Sequence, residues 1–561
     1  MNSQLNAKGN GTGMIEWTEL EELILGKTEE VAPSKQRLAV CACGPAVFAK
    51  SGSYAGYDAF VICEEYPAGL RAHRRLIGSS ELRILIAERK LVESDVEKGA
   101  LGDFLTEIFL YPYRPIANPA YAQHLGLEAK ARIVKEEARD LVTEYGEMCR
   151  GLVARPEFFG LSRLRKRARV FLPSMDQYLR LMQPQVREVN VGVMRESFKQ
   201  AVMSLPGDLV ELDDENVTIP DAIIDKWLAM RSTEQMVNVL RQSQRAFYSY
   251  LTRGRAIYLD LDLLAREIYT PLRLGLTQEI AGTEPEDPKN HLYLRTAEGL
   301  ASLNERASLE EIISKLRPDR PITISPLAGV LNEVFLVTVG RERLVAKRFT
   351  DWHGFKWFTL NLVSLGSKLF AVSGRARLSN EYGVNRYLAK KGLKVPRVIH
   401  VNMKEGILLE SYISGAPLVD FVTQIVSQDT LSRAQYQLAE MLGQTLARIH
   451  GVRISIGDSK PENFVTSERD LYVVDLEQAG RRRDYAWDIA ELLYYIGHYS
   501  SSATPTGGLS EMVQAFILGY IREGDAGELR RAAGVRFARV FSLWTPASII
   551  LEVSKLLREA R

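Results

Sequence analysis

Residues 456–480 read IGDSKPENFVTSERDLYVVDLEQAG, and the spacing of their polar residues predicts the fold of the C-terminal part of the chain. Asp458, Lys460 and Asn463 follow a D-x-K-x-x-N pattern. Two short apolar runs joined by the turn Ser-Glu-Arg-Asp then lead to Asp475, twelve residues after Asn463. A loop Asp and Asn followed by an Asp at a strand end is the arrangement that phosphoryl transfer from ATP requires. The stretch therefore predicts a kinase-like catalytic loop.

The upstream sequence supplies further parts of such a site in the required order. Residues 335–349, FLVTVGRERLVAKRF, alternate in two runs around a glycine turn, which predicts a β-hairpin ending near Lys347. A strand lysine at this position binds ATP phosphates in kinases. Before the hairpin, Gly329 is the one glycine of a loop that would cover the phosphates.

Two further segments complete the order. Glu381 lies in the first part of an amphipathic stretch that ends at Gly392, where a helix acid should pair with the strand lysine. The apolar run GILLESYISGAPL then predicts a strand and a hinge that contains Glu410 and Tyr412. Both hinge residues are candidate contacts of the nucleotide.

Each polar residue of the loop has an expected role. Asp458 would accept or orient the proton of the attacking hydroxyl, and Lys460 would offset charge on the transferred group. Asn463 and Asp475 would supply oxygen ligands to Mg²⁺. The sequence therefore predicts ATP and Mg²⁺ as the cofactors.

Residues 320–561 resemble the branch of small atypical kinases that includes the Bud32 and RIO kinases and the aminoglycoside phosphotransferases. The resemblance lies in NEYGVNRYLAKKGLKVPRVIHV (380–401), in IGDSKPENF (456–464) and in DYAWDIAELLYYIG (484–497). It implies a bilobal protein-kinase-like fold. It also implies that the side chain of Asp488 holds the catalytic loop in position.

Departures from the family pattern are visible. The usual loop histidine is Ile456, and the Asp-Phe-Gly triplet is Asp475-Leu476-Glu477. No Ala-Pro-Glu motif follows, so regulation by activation-loop phosphorylation is not expected. Glu477 is either a third metal-facing carboxylate or a surface residue at a strand end.

The N-terminal region, residues 15–125, is expected to form a small α/β domain. Residues 43–62, CGPAVFAKSGSYAGYDAFVI, resemble the nucleotidyltransferase pattern of a Gly turn followed by two strand carboxylates. Asp58 supplies the first carboxylate, but Phe60 occupies the second position, and one carboxylate is not enough for the metal site. We therefore expect a degenerate nucleotidyltransferase-like domain, with an unrelated α/β domain as the alternative.

Residues 126–315 are expected to form a helical middle domain. The run LVELDDENVTIPDAI predicts a hairpin before a helix, which is typical of a winged helix. With the kinase-like domain at 320–561, the fold class is α+β and multidomain.

Basic residues interleaved with aromatics suggest contacts with nucleic acid, although solvated helix faces are the alternative. The net charge of +2 excludes a polybasic protein but not a local basic surface. The candidate RNA-binding residues are Arg163, Arg165, Lys166, Arg167, Arg169, Lys356, Arg375 and Arg377.

The layout as a whole resembles archaeal RNA kinases that phosphorylate a ribose 2′-hydroxyl of tRNA. The resemblance implies tRNA as the partner. The alternatives are a protein serine/threonine kinase with a protein substrate, and a catalytically weak pseudokinase that acts as an RNA-binding scaffold. A small-molecule kinase is the weakest alternative, because a small acceptor gives the N-terminal half no obvious role.

Composition sets the remaining expectations. Hydrophobic residues form 46% and charged residues 25% of the chain, which excludes a disordered protein. The 4 cysteines lack metal-site spacing and are expected to be buried, reduced thiols. Without a signal-like N-terminus or a long apolar run, the protein is expected to be cytoplasmic, with no membrane partner.

Overall fold

The computed structural model describes residues 17–33, 35–44, 47–48, 56–77, 80–230, 240–241, 244–253, 286–327, 333–351, 371, 373–481, 484–500 and 504–561. The chain divides into two compact units. The first comprises residues 1–143 and 153–292, and the second comprises residues 144–152 and 293–561. The division into three domains stays a prediction.

A five-stranded mixed sheet forms the centre of the first unit. Its strand order is Leu70–Ile77, Ser80–Glu88, Gly56–Cys63, Arg37–Cys43 and Tyr113–Ala117, and only the second and third of these run parallel. Side chains of the inner strands alternate between two apolar clusters, one with Cys41 and Phe60 and the other with Val40 and Val61. Both faces are therefore buried, which explains why these strands read as nearly continuous apolar runs.

Helices occur along the rest of the described N-terminal half of the chain. They are Trp17–Glu29, Arg89–Lys98, Thr106–Leu110, Pro119–Tyr145, Glu157–Val170, Leu172–Leu181, Arg187–Ser204 and Asp221–Ala229, with the 3₁₀ turns Gly146–Arg150 and Pro288–His291. Residues 244–253 are also helical. The predicted hairpin is confirmed as Glu211–Asp213 paired with Asn216–Thr218, with Asp214 in the left-handed region. The short strand Leu152–Ala154 pairs with the hairpin strand Asn216–Thr218, where Ala154 lies opposite Val217.

The second unit contains an antiparallel five-stranded sheet. Its order is Ile322–Leu327, Glu333–Val339, Glu342–Arg348, Ile407–Ser411 and Val398–Asn402. The predicted hairpin is confirmed, because Val334 lies opposite Lys347 and Val339 opposite Glu342. The helix Gly374–Lys390, here named the glutamate helix because it carries Glu381, precedes the last two strands in the chain.

Other elements of this unit are short or helical. The hairpin Leu292–Thr296 with Gly299–Ser302 and the helix Leu309–Leu316 precede the sheet. A small sheet contains Ala416–Pro417, Phe464–Ser467 and Asp470–Val473. The later helices are Leu418–Ile425, Arg433–Gly451, Tyr485–Ile496, Gly507–Ile521, Ala526–Ala532, Val535–Phe541 and Ala547–Arg558, with the 3₁₀ turns Pro461–Asn463 and Gly497–Tyr499.

These later helices share one large apolar core. Leu446, Ile456, Phe464 and Leu492 are fully buried in it, so the predicted catalytic loop is attached to the core at several points. The helix Tyr485–Ile496 is here named the anchor helix. All four cysteines are buried, as expected. No helix in the described ranges has both the length and the apolar character needed to cross a membrane.

Two helices of this core cross at glycines. Gly443 lies on Arg433–Gly451 and Gly519 on Gly507–Ile521, and a Cβ atom at either position would overlap the backbone of the other helix. The close approach is therefore possible only without side chains at these two points. The crossing holds the helix that leads directly into the catalytic loop.

Replacing Gly443 by alanine should destabilise the second unit. The added methyl group overlaps the carbonyl oxygen of Phe516, so the helices must separate. We expect the free energy of unfolding to fall by about 1–3 kcal/mol. Denaturant unfolding of the full chain measures this change.

Gly451→Ala is the matched control, because it lies at the end of the same helix and a Cβ there meets no atom within 4 Å. Its effect should stay within about 0.5 kcal/mol. Equal effects of the two substitutions would contradict the importance of the crossing.

Candidate active site

Lys347 is the buried cation at the centre of the candidate site. Its Nζ lies 2.5 Å from Oε1 of Glu381 and donates a hydrogen bond to the carbonyl oxygen of Val474 at 2.6 Å. Oε2 of Glu410 lies 3.4 Å away. Burial alone would lower the pKa of Lys347, but the surrounding carboxylates raise it well above its usual value. The lysine is therefore held in its charged form, as binding to phosphates requires.

Glu381 connects three parts of the unit. One carboxylate oxygen contacts Lys347 on the strand, and the other accepts a hydrogen bond from the backbone nitrogen of Leu476. Arg377 lies one turn earlier on the same face of the glutamate helix and pairs with Glu477, with 3.0 Å between Nη1 and Oε2. The helix thus holds the strand lysine and the segment after Asp475 together.

The Arg377–Glu477 pair corrects two predictions. Glu477 was expected to face a metal ion or the surface, but it is 4% exposed and its carboxylate is directed to Arg377. Arg377 was a candidate RNA-binding residue, yet its exposure is 0%. A side chain without exposed surface is not accessible to a phosphate backbone. The charge of Arg377 therefore stabilises the fold through its ion pair with Glu477.

The predicted catalytic loop brings three of its polar residues together. Nζ of Lys460 lies 3.0 Å from Oδ1 of Asp458, and Nδ2 of Asn463 donates to the carbonyl oxygen of Asp458 at 2.8 Å. All three side chains are partly exposed. Burial lowers the pKa of Lys460, but the carboxylates of Asp458 and Glu491 raise it more, so that the net shift is upward. Lys460 is therefore a permanent positive charge beside the candidate base.

Asp488 on the anchor helix fixes the start of this loop. Its carboxylate accepts hydrogen bonds from the backbone nitrogens of Ile456 at 2.6 Å and Gly457 at 2.8 Å. Nε2 of His450 lies 3.2 Å from the same group. Gly457 has a φ of 83°, which glycine adopts without strain. The expectation that Asp488 holds the catalytic loop in position is confirmed by these hydrogen bonds.

Glu491 is a second anchor that the sequence reasoning missed. It is 4% exposed and accepts hydrogen bonds from the backbone nitrogen of Ser459 at 2.8 Å and from Nε1 of Trp487 at 3.1 Å. Asp488 and Glu491 are three residues apart on one helix face. Asp488 was already a candidate from the sequence. An acid three residues after it is the sequence feature from which the role of Glu491 could have been inferred.

Asn463 and Asp475 are suitable ligands for Mg²⁺. The backbone nitrogen of Val474 donates to the carbonyl oxygen of Asn463 at 3.0 Å, which places the two candidate ligands on adjoining chain segments. Asn463 uses its amide nitrogen for Asp458, and this bond leaves the amide oxygen as an acceptor. One amide and one carboxylate oxygen match the few protein ligands that Mg²⁺ takes beside ATP phosphates. The residues therefore fit this metal.

The two predicted hinge residues have different surroundings. Glu410 is 1% exposed, and its carboxylate contacts Lys347 and Nδ2 of Asn385, the latter at 3.2 Å. It therefore lies behind the strand lysine. Tyr412 is partly exposed, and the guanidinium of Arg343 lies 4.2 Å from the centroid of its ring. Nucleotide contact by either residue stays a prediction.

Two predicted site residues, Gly329 and Lys356, lie outside the described residues. Arg375 on the glutamate helix is half-exposed and pairs with Glu144 at 3.1 Å. Its guanidinium also lies 4.9 Å from the ring centroid of Tyr145. These contacts bind the helix to the segment 144–152, whose membership of the second unit was not anticipated from the sequence.

The basic helix Glu157–Val170 corrects the prediction of an RNA-binding cluster in part. Arg163 and Arg167 are buried and ion-paired inside the first unit, and Lys166 contacts two acids at 2.7 Å each. Arg165 is partly buried, and Arg169 is exposed. The acidic partners of this helix include Asp103, Glu107, Glu136, Glu137 and Asp140. Most of this positive charge is therefore neutralised within the fold.

The nucleotidyltransferase-like pattern lacks a metal centre in the described ranges. Both oxygens of Asp58 contact the guanidinium of Arg83, at 2.7 and 2.8 Å. Asp95 is buried and accepts backbone hydrogen bonds from a loop, including Leu105 at 2.8 Å. No group of three or more His, Cys, Asp or Glu side chains suited to a metal occurs among these residues.

Comparison with known sequences finds a family match in the C-terminal region. Residues 323–493 match the model of the APH family, described as the phosphotransferase enzyme family. The matched range contains Lys347, Glu381, Asp458, Asn463 and Asp475. The prediction that the chain is a kinase is confirmed by this match. None of the curated protein sequences matches the chain.

Solved structures with detectable similarity include two proteins. One is WaaP in complex with acyl carrier protein, with 15% identity and a TM-score of 0.29, covering 45% of this chain and 99% of that one. The other is a microcompartment-associated aminopropanol kinase, with 12% identity and a TM-score of 0.25, covering 44% of this chain and 92% of that one. Scores this low carry no inference about the substrate.

Replacing Asp488 by asparagine should impair turnover more than nucleotide binding. An amide offers one acceptor oxygen, so one of the two backbone nitrogens of the loop would face an NH₂ group. Leaving a buried donor unsatisfied costs about 1–3 kcal/mol. We expect kcat of magnesium-dependent ATP hydrolysis to fall about 10-fold or more, with a small change in KM for ATP.

Asp484→Asn provides the comparison for this experiment. Asp484 precedes the same helix and has a partly exposed ion pair with Arg536 at 3.3 Å. Its loss should leave both kinetic constants nearly unchanged. If the two variants lost activity equally, the anchoring role of Asp488 would be wrong.

Proposed function

We propose that the second unit transfers the terminal phosphoryl group of ATP to a hydroxyl group of an acceptor. The observation that carries this proposal is the buried contact of Lys347 with Glu381, together with the bond from Leu476 to the same carboxylate. Through Glu381, the charged Lys347 lies close to the segment that follows Asp475, which supports this proposal. Phosphoryl transfer depends mainly on such positioning and on charge stabilisation.

The loop residues have complementary roles in this proposal. Asp458 would accept or orient the proton of the attacking hydroxyl. Lys460, 3.0 Å from that carboxylate, would stabilise negative charge on the transferred group.

Asn463 and Asp475 would hold the metal ion. When bound, Mg²⁺ supplies positive charge that neutralises the phosphate oxygens. The chain itself fixes the two ligands through the backbone bond between Val474 and Asn463. Lys347 would bind the phosphates from the strand side.

For the acceptor, we propose a ribose 2′-hydroxyl of tRNA, as in RNA kinases related to the Bud32 and RIO branch. The support is the sequence resemblance and the size of the chain outside the phosphotransferase match. The basic helix supports this acceptor less than its sequence suggests, because Arg163 and Arg167 are buried. A protein serine or threonine is the alternative acceptor, and the same assay includes it.

The acceptor test measures transfer of labelled phosphate from ATP. Total tRNA freed of protein and a tRNA-free protein extract are incubated separately with the enzyme and Mg²⁺. We expect label in tRNA, and alkaline digestion followed by mass spectrometry should locate it on a 2′-oxygen. Label in protein alone would contradict the tRNA acceptor while leaving the phosphotransferase proposal intact.

Asp458→Asn tests the catalytic part of the proposal. Loss of the candidate base should reduce transfer about 100-fold or more, since positioned bases contribute about 10²–10⁴-fold. Asp470→Asn is the matched control, because Asp470 lies at the start of the nearby strand Asp470–Val473 with a half-exposed partner, Lys394, at 2.9 Å. Full activity of Asp458→Asn would overturn the assignment of Asp458.

A further inference from the structure

Residues 144–152, here named the inserted segment, belong to the second unit, although the chain on either side of them belongs to the first. They lie outside residues 323–493, which match the phosphotransferase family. Gly146, with a φ of 61°, ends the preceding helix, and the chain then forms the 3₁₀ turn Gly146–Arg150. Residues 145–149 are all buried. The inserted segment is therefore a packed part of the fold and not a surface loop.

The inserted segment contacts one face of the glutamate helix along most of its length. The helix residues in contact with it recur at every fourth position, and they are Arg375, Ser379, Gly383 and Tyr387. Side chains four residues apart lie on the same face of a helix. Glu381 is two residues from Ser379, which places it about 200° around the helix. The contact of Glu381 with Lys347 is therefore on the opposite face.

Ser379 forms the polar part of this contact. Its Oγ donates a hydrogen bond to the carbonyl oxygen of Tyr145 and accepts one from the backbone nitrogen of Met148 at 3.1 Å. The residue is 7% exposed, so these bonds are shielded from water. One hydroxyl group thus attaches the helix to two backbone atoms of the inserted segment.

Gly383 permits a close approach of the two backbones. A Cβ atom at this position would lie 2.1 Å from the carbonyl oxygen of Glu147. Carbon–oxygen contacts are normally about 3.3 Å or longer, so a side chain would force the helix and the segment apart by about 1 Å. Hydrogen bonds form only over a narrow range of distances. A displacement of this size would therefore alter the contact between Lys347 and Glu381.

We propose that the inserted segment positions the glutamate helix for catalysis, with Ser379 and Gly383 as positioning residues. The segment fixes one face of the helix, and the other face thereby presents Glu381 to Lys347 and to the backbone nitrogen of Leu476. The active site thus depends on a part of the chain that neither the family match nor the catalytic motifs include. The inference rests on the proposed phosphoryl transfer, because that reaction is what the helix position affects.

Two variants test this role through the kinetics of magnesium-dependent ATP hydrolysis by the full chain. Gly383→Ala should lower kcat/KM for ATP at least 10-fold, because a misplacement of about 1 Å can cost about 100-fold. Ser379→Ala, which adds no atoms, should lower it about 3-fold or more, because the helix loses its polar attachment. Gly192→Ala is the matched control, since Gly192 also lies inside a helix and a Cβ atom there meets no atom within 4 Å.

A comparison with Glu381→Gln separates positioning from a general loss of stability. If the variants act through Glu381, adding either of them to Glu381→Gln should lower kcat/KM by less than about 2-fold, whereas independent effects would multiply. Thermal unfolding identifies the proteins that are folded at the assay temperature. Multiplied losses, or wild-type kinetics of either variant in its folded form, would overturn the positioning role.

The same assay distinguishes this inference from the proposed function. Wild-type turnover that Asp458→Asn removes supports the phosphoryl transfer, whatever the result for Gly383→Ala. The positioning role alone is then wrong if Gly383→Ala is folded and fully active. Absence of turnover by the wild-type chain would overturn both.

Discussion

The contact between Lys347 and Glu381 is the interaction on which the second unit depends. A buried lysine is costly unless a carboxylate lies next to it, and a buried carboxylate has the same requirement. Nζ of Lys347 and Oε1 of Glu381 reach their separation of 2.5 Å only when the strand and the glutamate helix are correctly placed. The second oxygen of Glu381 extends this constraint to Leu476. One ion pair therefore assembles the lysine and the Asp475 segment into a site.

Buried carboxylates that accept backbone hydrogen bonds recur in both units. Asp488 and Glu491 hold the loop around Asp458, and Asp95 holds a loop in the first unit in the same way. In each case a charged acceptor replaces the water that a loop backbone would otherwise need. Such anchors restrict the conformation of an irregular segment. Rigidity is what a catalytic loop requires, because small displacements of reacting groups are costly.

Much of the second unit could be predicted from its sequence because its signals are local. Alternating apolar residues around a glycine turn gave the hairpin with Lys347, and short-range spacing gave Asp458, Asn463 and Asp475. Burial of charge could not be predicted, because the acids that pair with Arg163 and Arg167 precede them by 26 to 60 residues. Arg377 and Glu477 are a hundred residues apart. A run of basic residues looks the same in a sequence in both cases: when its partners are acidic residues of the same fold, and when they are phosphate groups of a ligand.

The most direct test is calorimetric titration of ATP with Mg²⁺ into the wild-type chain and the Lys347→Met variant. Because hydrogen bonds to charged groups contribute about 1.5–3 kcal/mol, the loss of Lys347 should weaken ATP binding about 10- to 100-fold. Lys394→Met, at a half-exposed position in the same unit, should bind ATP like the wild type. Thermal unfolding of each sample establishes that the variants are folded. Equal ATP affinity of wild type and a folded Lys347→Met variant would contradict the account.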